Sequence, residues 1–329
     1  MRREWLKYIL VVACIHLLGI TLLFFNVVKY PQLIALGFLA YTLGLRHAFD
    51  ADHIAAIDNT VRKMVQQKQA PAGVGLYFSL GHSTVVTIMT VVTAFSVVWA
   101  KQNLPQLQAL GGIMGLVVSG SFLIFMGLLN FYIWLDVYRL FAKMRKGRYV
   151  LENADELLNG GFLTSRLARP LFRLINKSWH VYPVGFLFGL GFDTASEIAL
   201  FAVAAAAVAK AIPLTAVIIL PILFAAGMSL MDTLDGIFMT SAYEWAFSTP
   251  LRKVYYNLTV TGLSVVAALF IGAIEITQVL SPKLGLTGGL WTWIQNLDFG
   301  ILGYMLVGLF VLCWTVSYSL WKILRLETS

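Results

Sequence analysis

Six ionisable side chains fall within thirteen positions of one strongly apolar stretch of the sequence. The stretch contains two imidazoles, three carboxylates and one guanidinium, and an amide follows: Arg46, His47, Asp50, Asp52, His53, Asp58 and Asn59. Imidazole and carboxylate together bind borderline divalent ions such as Ni, Co, Zn, Fe or Mn, and the absence of thiols at these positions argues against a soft Cu(I) site. Arg46 could pair with Asp50 one turn away, and single histidines are often hydrogen-bonded core residues. Because that alternative does not account for two histidines and three carboxylates together, the stretch predicts a metal site.

Helical geometry sorts these side chains by direction. At about 100° per residue, His47, Asp50, His53 and Asp58 lie within an arc of about 140°, whereas Asp52 points away from them. Asp52 can approach both histidines only if the helix is interrupted. Interrupted helices are how many transporters bring backbone groups to an ion at membrane depth.

Three further apolar stretches carry matching polar groups. They are Leu80-Gly81-His82-Ser83, Asp193-Thr194-Ala195-Ser196-Glu197 and Asp232-Thr233-Leu234-Asp235. Counted from the ends of their spans at 1.5 Å per residue, all of them lie at similar depths, between the membrane midplane and its cytoplasmic half. One shared polar site is therefore expected. An alternative is that some carboxylates, Glu197 and Asp235 above all, only pair with Arg46 or carry helix hydrogen bonds.

The composition indicates which elements hold these groups. Of the 329 residues, 59% are hydrophobic and 12% are charged, against about 25% charged in soluble domains, which excludes an ordinary soluble protein. The sequence predicts an all-α polytopic membrane protein, one membrane domain over residues 1–329. Eight stretches have the roughly 20 residues that a span requires: about 8–27, 32–57, 74–99, 109–135, 181–209, 212–241, 257–280 and 297–321.

Basic residues indicate the orientation. One alternate set of connecting segments holds 19 Lys and Arg residues and the other set holds four. This asymmetry predicts that both termini and the 136–180 loop are cytoplasmic. The net charge of +8 therefore reports orientation in a bilayer and does not predict nucleic-acid binding, since no basic and aromatic patch is present.

An internal repeat is also expected. Phe49-Asp50 and Gly81-His82-Ser83 in spans two and three correspond to Phe192-Asp193 and Gly227-Met228-Ser229 in spans five and six. Under the predicted topology the two pairs of spans run in opposite directions. An inverted repeat of this kind is typical of secondary transporters.

The stretch from Arg46 to Thr60 resembles the hallmark of the nickel/cobalt transporter family, in which a histidine is followed after four residues by Asp-His. His47, Asp52 and His53 fill those positions, and the resemblance continues through the motifs of spans three, five and six. It implies a multi-pass permease of the bacterial cytoplasmic (inner) membrane that takes up Ni²⁺ or Co²⁺ as substrate. It also implies that the protein is not an enzyme, has no prosthetic group and requires no ATPase subunit.

These observations together predict alternating access of a divalent ion to a site formed by His47, Asp52, His53 and His82. Other polar groups are expected to line the pathway or to orient the ligands: Arg46, Asp50, Asp58, Asn59, Ser83, Asp193, Thr194, Glu197, Asp232 and Asp235. One alternative is an intramembrane zinc-dependent hydrolase that uses the same histidines. Another is a sensor or partner subunit that transports nothing.

Overall fold

The computed structural model describes residues 5–95, 97–145, 175–191, 194–246 and 257–323, and within these ranges the chain is helical and contains no strand. A 3₁₀ turn, Ser178–Val181, and a π-helical turn, Asn257–Thr261, each lead into an α-helix. The all-α prediction is confirmed. We number the helices in chain order: α1 Leu6–Val27, α2 Leu33–His47, α3 Ala51–Gln66, α4 Val74–Phe95, α5 Val97–Arg145, α6 Tyr182–Gly189, α7 Ala195–Ala209, α8 Leu214–Val217, α9 Ile219–Ala246, α10 Gly262–Lys283, α11 Gly289–Gln295 and α12 Phe299–Ile323.

Six described helical segments are long and apolar enough to cross a membrane. They are Leu6–Val27, Val74–Phe95, Leu110–Arg139, Leu214–Ala246, Leu258–Lys283 and Phe299–Val316. Large apolar side chains such as Phe24, Phe25 and Phe95 are more than two-thirds exposed on these helices. Such an outward apolar surface is expected where lipid, not water, surrounds the protein.

The remaining two predicted spans are each divided into two helices. The stretch predicted over 32–57 is interrupted at residues 48–50 between α2 and α3, and the one predicted over 181–209 is interrupted between α6 and α7. The backbone of Asp50 and of Thr194 is extended, with ψ of 140° and 146°, just before the second helix of each pair begins. Non-helical backbone at membrane depth is tolerated where it is buried in protein or lines a cavity.

Helix α5 is longer than the predicted fourth span. It runs from Val97 to Arg145, so it begins before residue 109 and continues past residue 135. The rest of the predicted 136–180 loop, up to residue 174, lies outside the described residues.

Helices α2 and α9 cross at close range through two glycines. A Cβ atom on Gly44 would overlap the carbonyl oxygen of Phe224, and one on Gly227 would overlap the carbonyl oxygen of Tyr41. Small residues allow membrane helices to approach this closely, because their association depends on packing and not on the hydrophobic effect.

Helices α4 and α6 cross in the same manner. A Cβ atom on Gly81 would overlap the carbonyl oxygen of Tyr182, and one on Gly185 would overlap the carbonyl oxygen of Phe78. The two crossings hold the broken helices α2 and α6 against the continuous helices α9 and α4.

The apolar core consists of two clusters. One surrounds α3 and includes Ile57, Phe78 and Tyr243, and the other lies among α2, α4, α7 and α9 and includes Phe224. The polar groups described next contact both clusters.

Candidate metal centre

The interruption after α2 places two histidines on either side of a break. His47 is the last residue of α2, Asp50 precedes α3, and His53 lies in the first turn of α3. Phe49 N–H donates to the Arg46 carbonyl and Asp50 N–H to the His47 carbonyl, each at 3.0 Å. The chain thus makes a tight turn at the break, which brings the two imidazoles to one side.

Three imidazole rings meet at this turn. The ring centroids of His47, His53 and His82 are 4.6 to 4.8 Å apart in each pair. One ring nitrogen from each lies within 4.8 Å of the other two, and all three residues are buried. Two nitrogens bound to one ion at about 2.1 Å each are at most about 4.2 Å apart. A small inward movement of the rings would therefore place all three on one ion.

Several nitrogens of this cluster lack partners. Neither ring nitrogen of His53 has a hydrogen-bond partner among the described residues, and the same holds for Nδ1 of His82. Buried polar atoms are normally hydrogen-bonded, so unpartnered imidazole nitrogens call for an explanation. A metal ion bound at the cluster would give one of the His53 nitrogens a partner.

Carboxylates surround the three rings. Asp50 Oδ2 lies 3.1 Å from His47 Nδ1, and Glu197 Oε1 lies 3.0 Å from His82 Nε2. Asp232 Oδ2 lies 3.6 Å from His53 Nδ1, beyond hydrogen-bond range. Each histidine therefore has a carboxyl group beside it, and the two within hydrogen-bond distance, Asp50 and Glu197, can orient the rings of His47 and His82.

The second break supplies Glu197. It lies in the first turn of α7, directly after Thr194, and Thr194 Oγ1 donates to Glu197 Oε2 at 2.7 Å. Thr194 Oγ1 also lies 3.4 Å from His47 Nδ1. The two interrupted helices thus contribute to the same cluster. Asp193, the other predicted carboxylate of this stretch, lies outside the described residues.

Asp52 does not join the three histidines in this structure, although the interruption that its approach would require is present. Its Oδ1 accepts a hydrogen bond from the backbone N–H of the following residue, His53, at 2.9 Å. The side chain lines the cavity beside the cluster.

Asp58 and Asn59 lie deeper along α3, in a network of their own. Arg62 Nη2 donates to Asp58 Oδ2 at 2.9 Å and to Asn59 Oδ1 at 2.7 Å. Tyr243 OH donates to Asp58 Oδ1 at 2.5 Å, and Asn130 Nδ2 donates to Asn59 Oδ1 at 3.0 Å. The network is buried and does not line the histidine cavity.

The other predicted pathway residues have separate surroundings. Ser83 Oγ lies 3.8 Å from the sulfur of Met228, to which it donates. Asp235 lines a different, largely apolar cavity of about 260 Å³, together with Met239 and Phe310. Neither side chain is gathered around the histidines.

A cavity of about 290 Å³ joins the cluster to the protein surface. Its deep wall contains His47, His53 and His82, and its rim contains Arg46 and Asp298, which are exposed. Two buried residues of this wall, Ser119 and Glu275, were not selected by the sequence motifs. One sequence feature could have pointed to Glu275: it is an acidic residue inside the predicted span 257–280, which is not part of the internal repeat.

Comparisons with known proteins agree with the cluster's chemistry. The family model described as high-affinity nickel-transport protein matches residues 33–320. The chain is 53% identical to the nickel transporter NixA of Staphylococcus aureus, over 99% of this chain and 96% of that protein. It is 51% identical to the high-affinity nickel-transport protein NixA of Helicobacter pylori, over 97% of both chains.

A relative named for cobalt also matches. The chain is 38% identical to the cobalt transport protein NhlF of Rhodococcus rhodochrous, over 95% of this chain and 91% of that protein. No solved structure matches. Because the family model matches most of its length and these relatives are similar over nearly all of it, the chain belongs to the family of high-affinity nickel-transport proteins.

Proposed function

We propose that this chain carries Ni²⁺ or Co²⁺ into the cell by alternating access, as a multi-pass permease of the bacterial cytoplasmic membrane. The observation that carries the proposal is the meeting of three buried imidazoles at the break of a membrane-depth helix, in a cavity that reaches the surface. Relatives are named for nickel and for cobalt transport. Nitrogen and oxygen ligands suit both ions.

In this proposal His47, His53 and His82 are the central ligands. Glu197 is beside His82, and Asp52 is on the cavity wall, where a change of side-chain rotamer would turn its carboxylate toward the ion. The carboxyl groups of Asp50 and Asp232 lie beside the other two rings. Partners of this kind orient imidazole ligands and raise their basicity.

Eight spans, with both termini in the cytoplasm, remain our proposal for the topology. The six long apolar segments account for six of them. The pairs α2 with α3 and α6 with α7 would each form one interrupted span. Transporter folds commonly place their ion sites at such interruptions.

The inverted repeat is supported by the two close helix crossings. Tyr41-x-x-Gly44 of α2 corresponds to Tyr182-x-x-Gly185 of α6, and Phe78-x-x-Gly81 of α4 corresponds to Phe224-x-x-Gly227 of α9. In each crossing the tyrosine carbonyl faces the glycine of the other motif, and the phenylalanine carbonyl faces the remaining glycine. Two related halves that pack in this reciprocal way could rock around one ion site.

The cavity would face outward under this topology. Its rim includes Gln295, in the segment predicted outside between the last two spans, and Asp298, at the outer end of the last span. On the opposite side of the cluster, the buried pair of Asp58 and Arg62, joined by Tyr243, would close the way to the cytoplasm. Inward opening would then require this network to separate.

No ATPase subunit is included in the proposal, because the membrane potential supplies a driving force. Moving a charge inward is worth about 2.3 kcal/mol per 100 mV, hence about 4.6 kcal/mol for a divalent ion. The chain is not an enzyme: its relatives are transporters, and they lend no support to the zinc-dependent hydrolase.

The test is uptake of radiolabelled Ni²⁺ and Co²⁺ into proteoliposomes with an inside-negative potential. His47→Ala and His53→Ala should abolish saturable uptake. His16→Ala is the matched control, because His16 on α1 contacts the Val12 carbonyl and the Tyr41 OH of α2 and does not line the cavity. Stoichiometric Ni²⁺ binding without uptake by the parent protein would contradict the proposal and favour a sensor.

A further inference from the structure

Glu275 is a buried carboxylate on α10, a helix that carries none of the four motifs. Its residue exposure is 1%, and its helix is otherwise apolar over most of its length. A charge within a membrane span is costly and usually faces a cavity, a partner or an ion pathway. The position of Glu275 therefore requires an explanation that the motifs do not supply.

One role for Glu275 is structural. Ser119 Oγ of α5 donates to Glu275 Oε2 at 2.6 Å. The two helices approach closely beside this bond, where a Cβ atom on Gly272 would lie 2.8 Å from the Gly120 carbonyl oxygen. A hydrogen bond between the helices does not, however, require a full negative charge, because an amide oxygen would also accept it.

The cavity supplies a reason for the charge. Glu275 lines the cavity that holds the three histidines and their unpartnered nitrogens. Gln278, one turn further along α10, also lines it, and its Nε2 donates to the Ile294 carbonyl of α11 at 2.8 Å. Helix α10 thus forms a wall that leads from the rim beside α11 toward the histidines, with Glu275 as its buried anionic group.

We propose that Glu275 is a cation-capture residue, which attracts the entering divalent ion and holds it in the cavity before the histidines bind it. The inference rests on the proposed transport of Ni²⁺ or Co²⁺. A carboxylate can hold a hydrated ion through its water shell, whereas the histidines require at least partial dehydration. Negative charge in a cleft with apolar walls raises the local cation concentration and the association rate.

Three variants separate the charge from the hydrogen bond. Glu275→Gln keeps the size and an oxygen that accepts from Ser119 but removes the charge. Glu275→Asp keeps the charge but is one methylene shorter and gives up the 2.6 Å contact. Ser119→Ala removes only the donor.

The measurement is the KM and kcat of Ni²⁺ uptake into proteoliposomes, for variants that elute as monodisperse protein in detergent. Glu275→Gln should raise KM about tenfold with little change in kcat, as loss of electrostatic focusing predicts. Glu275→Asp and Ser119→Ala should raise KM less. Parental KM in Glu275→Gln, or the largest increases in the other two variants, would overturn the proposal.

Two further outcomes are informative. If Glu275→Gln is not recovered folded, a small KM change in both other variants supports the charge, and a large change in both overturns it. If the parent protein takes up no Ni²⁺, the proposed function fails before any variant is compared. Saturable parental uptake with an unaffected Glu275→Gln variant rejects only the capture role.

Discussion

The Nε2 atoms of His47 and His82 lie 2.8 Å apart, although the two residues are 35 positions apart in the chain and on different helices. At this distance one nitrogen must donate a proton and the other must accept it, since two facing N–H groups would repel. At least one of the two rings is therefore neutral in this arrangement. A neutral ring nitrogen is also the form that binds a metal ion.

The first prediction concerns pH. An imidazole of ordinary pKa, about 6.5, loses its metal-binding lone pair when it is protonated, so protons compete with the ion as the pH falls. The KM for Ni²⁺ should therefore rise as the pH falls, by up to about tenfold per pH unit for each histidine that titrates. Uptake at fixed membrane potential, measured at every pH at which the protein stays folded, checks it. A KM that rises nowhere in that range would contradict imidazole ligation.

The second prediction concerns Glu197, which contacts His82 Nε2 at 3.0 Å and accepts from Thr194 at 2.7 Å. Glu197→Gln should weaken Ni²⁺ binding about 10-fold to 100-fold, because it removes the negative charge beside an imidazole ligand. Thr194→Val leaves the charge in place and should have a smaller effect. Equilibrium binding to the purified protein measures both, and parental affinity in Glu197→Gln would rule out this role.

The third prediction concerns the buried pair of Asp58 and Arg62, whose side chains are both 0% exposed. Arg62→Gln leaves the Asp58 carboxylate without its cation, which should lower the free energy of unfolding by about 3 to 5 kcal/mol. The double variant Asp58→Asn with Arg62→Gln should recover much of that loss, because no buried charge remains unpaired.

A matched control for this pair lies on the surface. The side chain of Arg139, which contacts Asp136 at 3.5 Å, is 55% exposed, so Arg139→Gln should cost less than about 1 kcal/mol. Unfolding temperatures in detergent compare the variants. Equal unfolding temperatures for Arg62→Gln and the parent protein would show that the buried pair is not needed for stability.

The fourth prediction concerns the crossing of α4 and α6. Gly81→Ala would place a methyl group against the Tyr182 carbonyl oxygen, so the helices must separate and His82, the next residue, must shift. Uptake should fall at least about tenfold, as small displacements of a metal ligand predict. Gly308→Ala is the matched control, because nothing lies within 4 Å of a Cβ built there. Equal uptake by the two variants would contradict the importance of the crossing.

Much of the fold class and of the chemistry could be predicted from the sequence. The apolar stretches indicated a helical membrane protein, and the two histidines and three carboxylates of one such stretch indicated a metal site. Helical periodicity also indicated that Asp52 could approach both histidines only if the helix were interrupted. The structure has an interruption at residues 48–50, but Asp52 still lies on the cavity wall.

The tertiary structure decided which carboxylates reach the histidines. Glu197, which the sequence left open as a mere pairing residue, contacts His82, whereas Asp52 remains on the cavity wall. Asp58 is paired with Arg62 in a separate network. Glu275 lines the cavity, although it belongs to none of the sequence motifs.

The physical reason for this division is that some features depend on a single helix, whereas others depend on contacts between helices. Periodicity and length are properties of a single apolar stretch, so the sequence by itself determined the helical class of the protein and which polar side chains each stretch carries. Contacts between helices depend on where the backbones cross, as at Gly81 and Gly185, and on how the chain turns at each break. Only the tertiary structure decided these, and with them the set of side chains that meet.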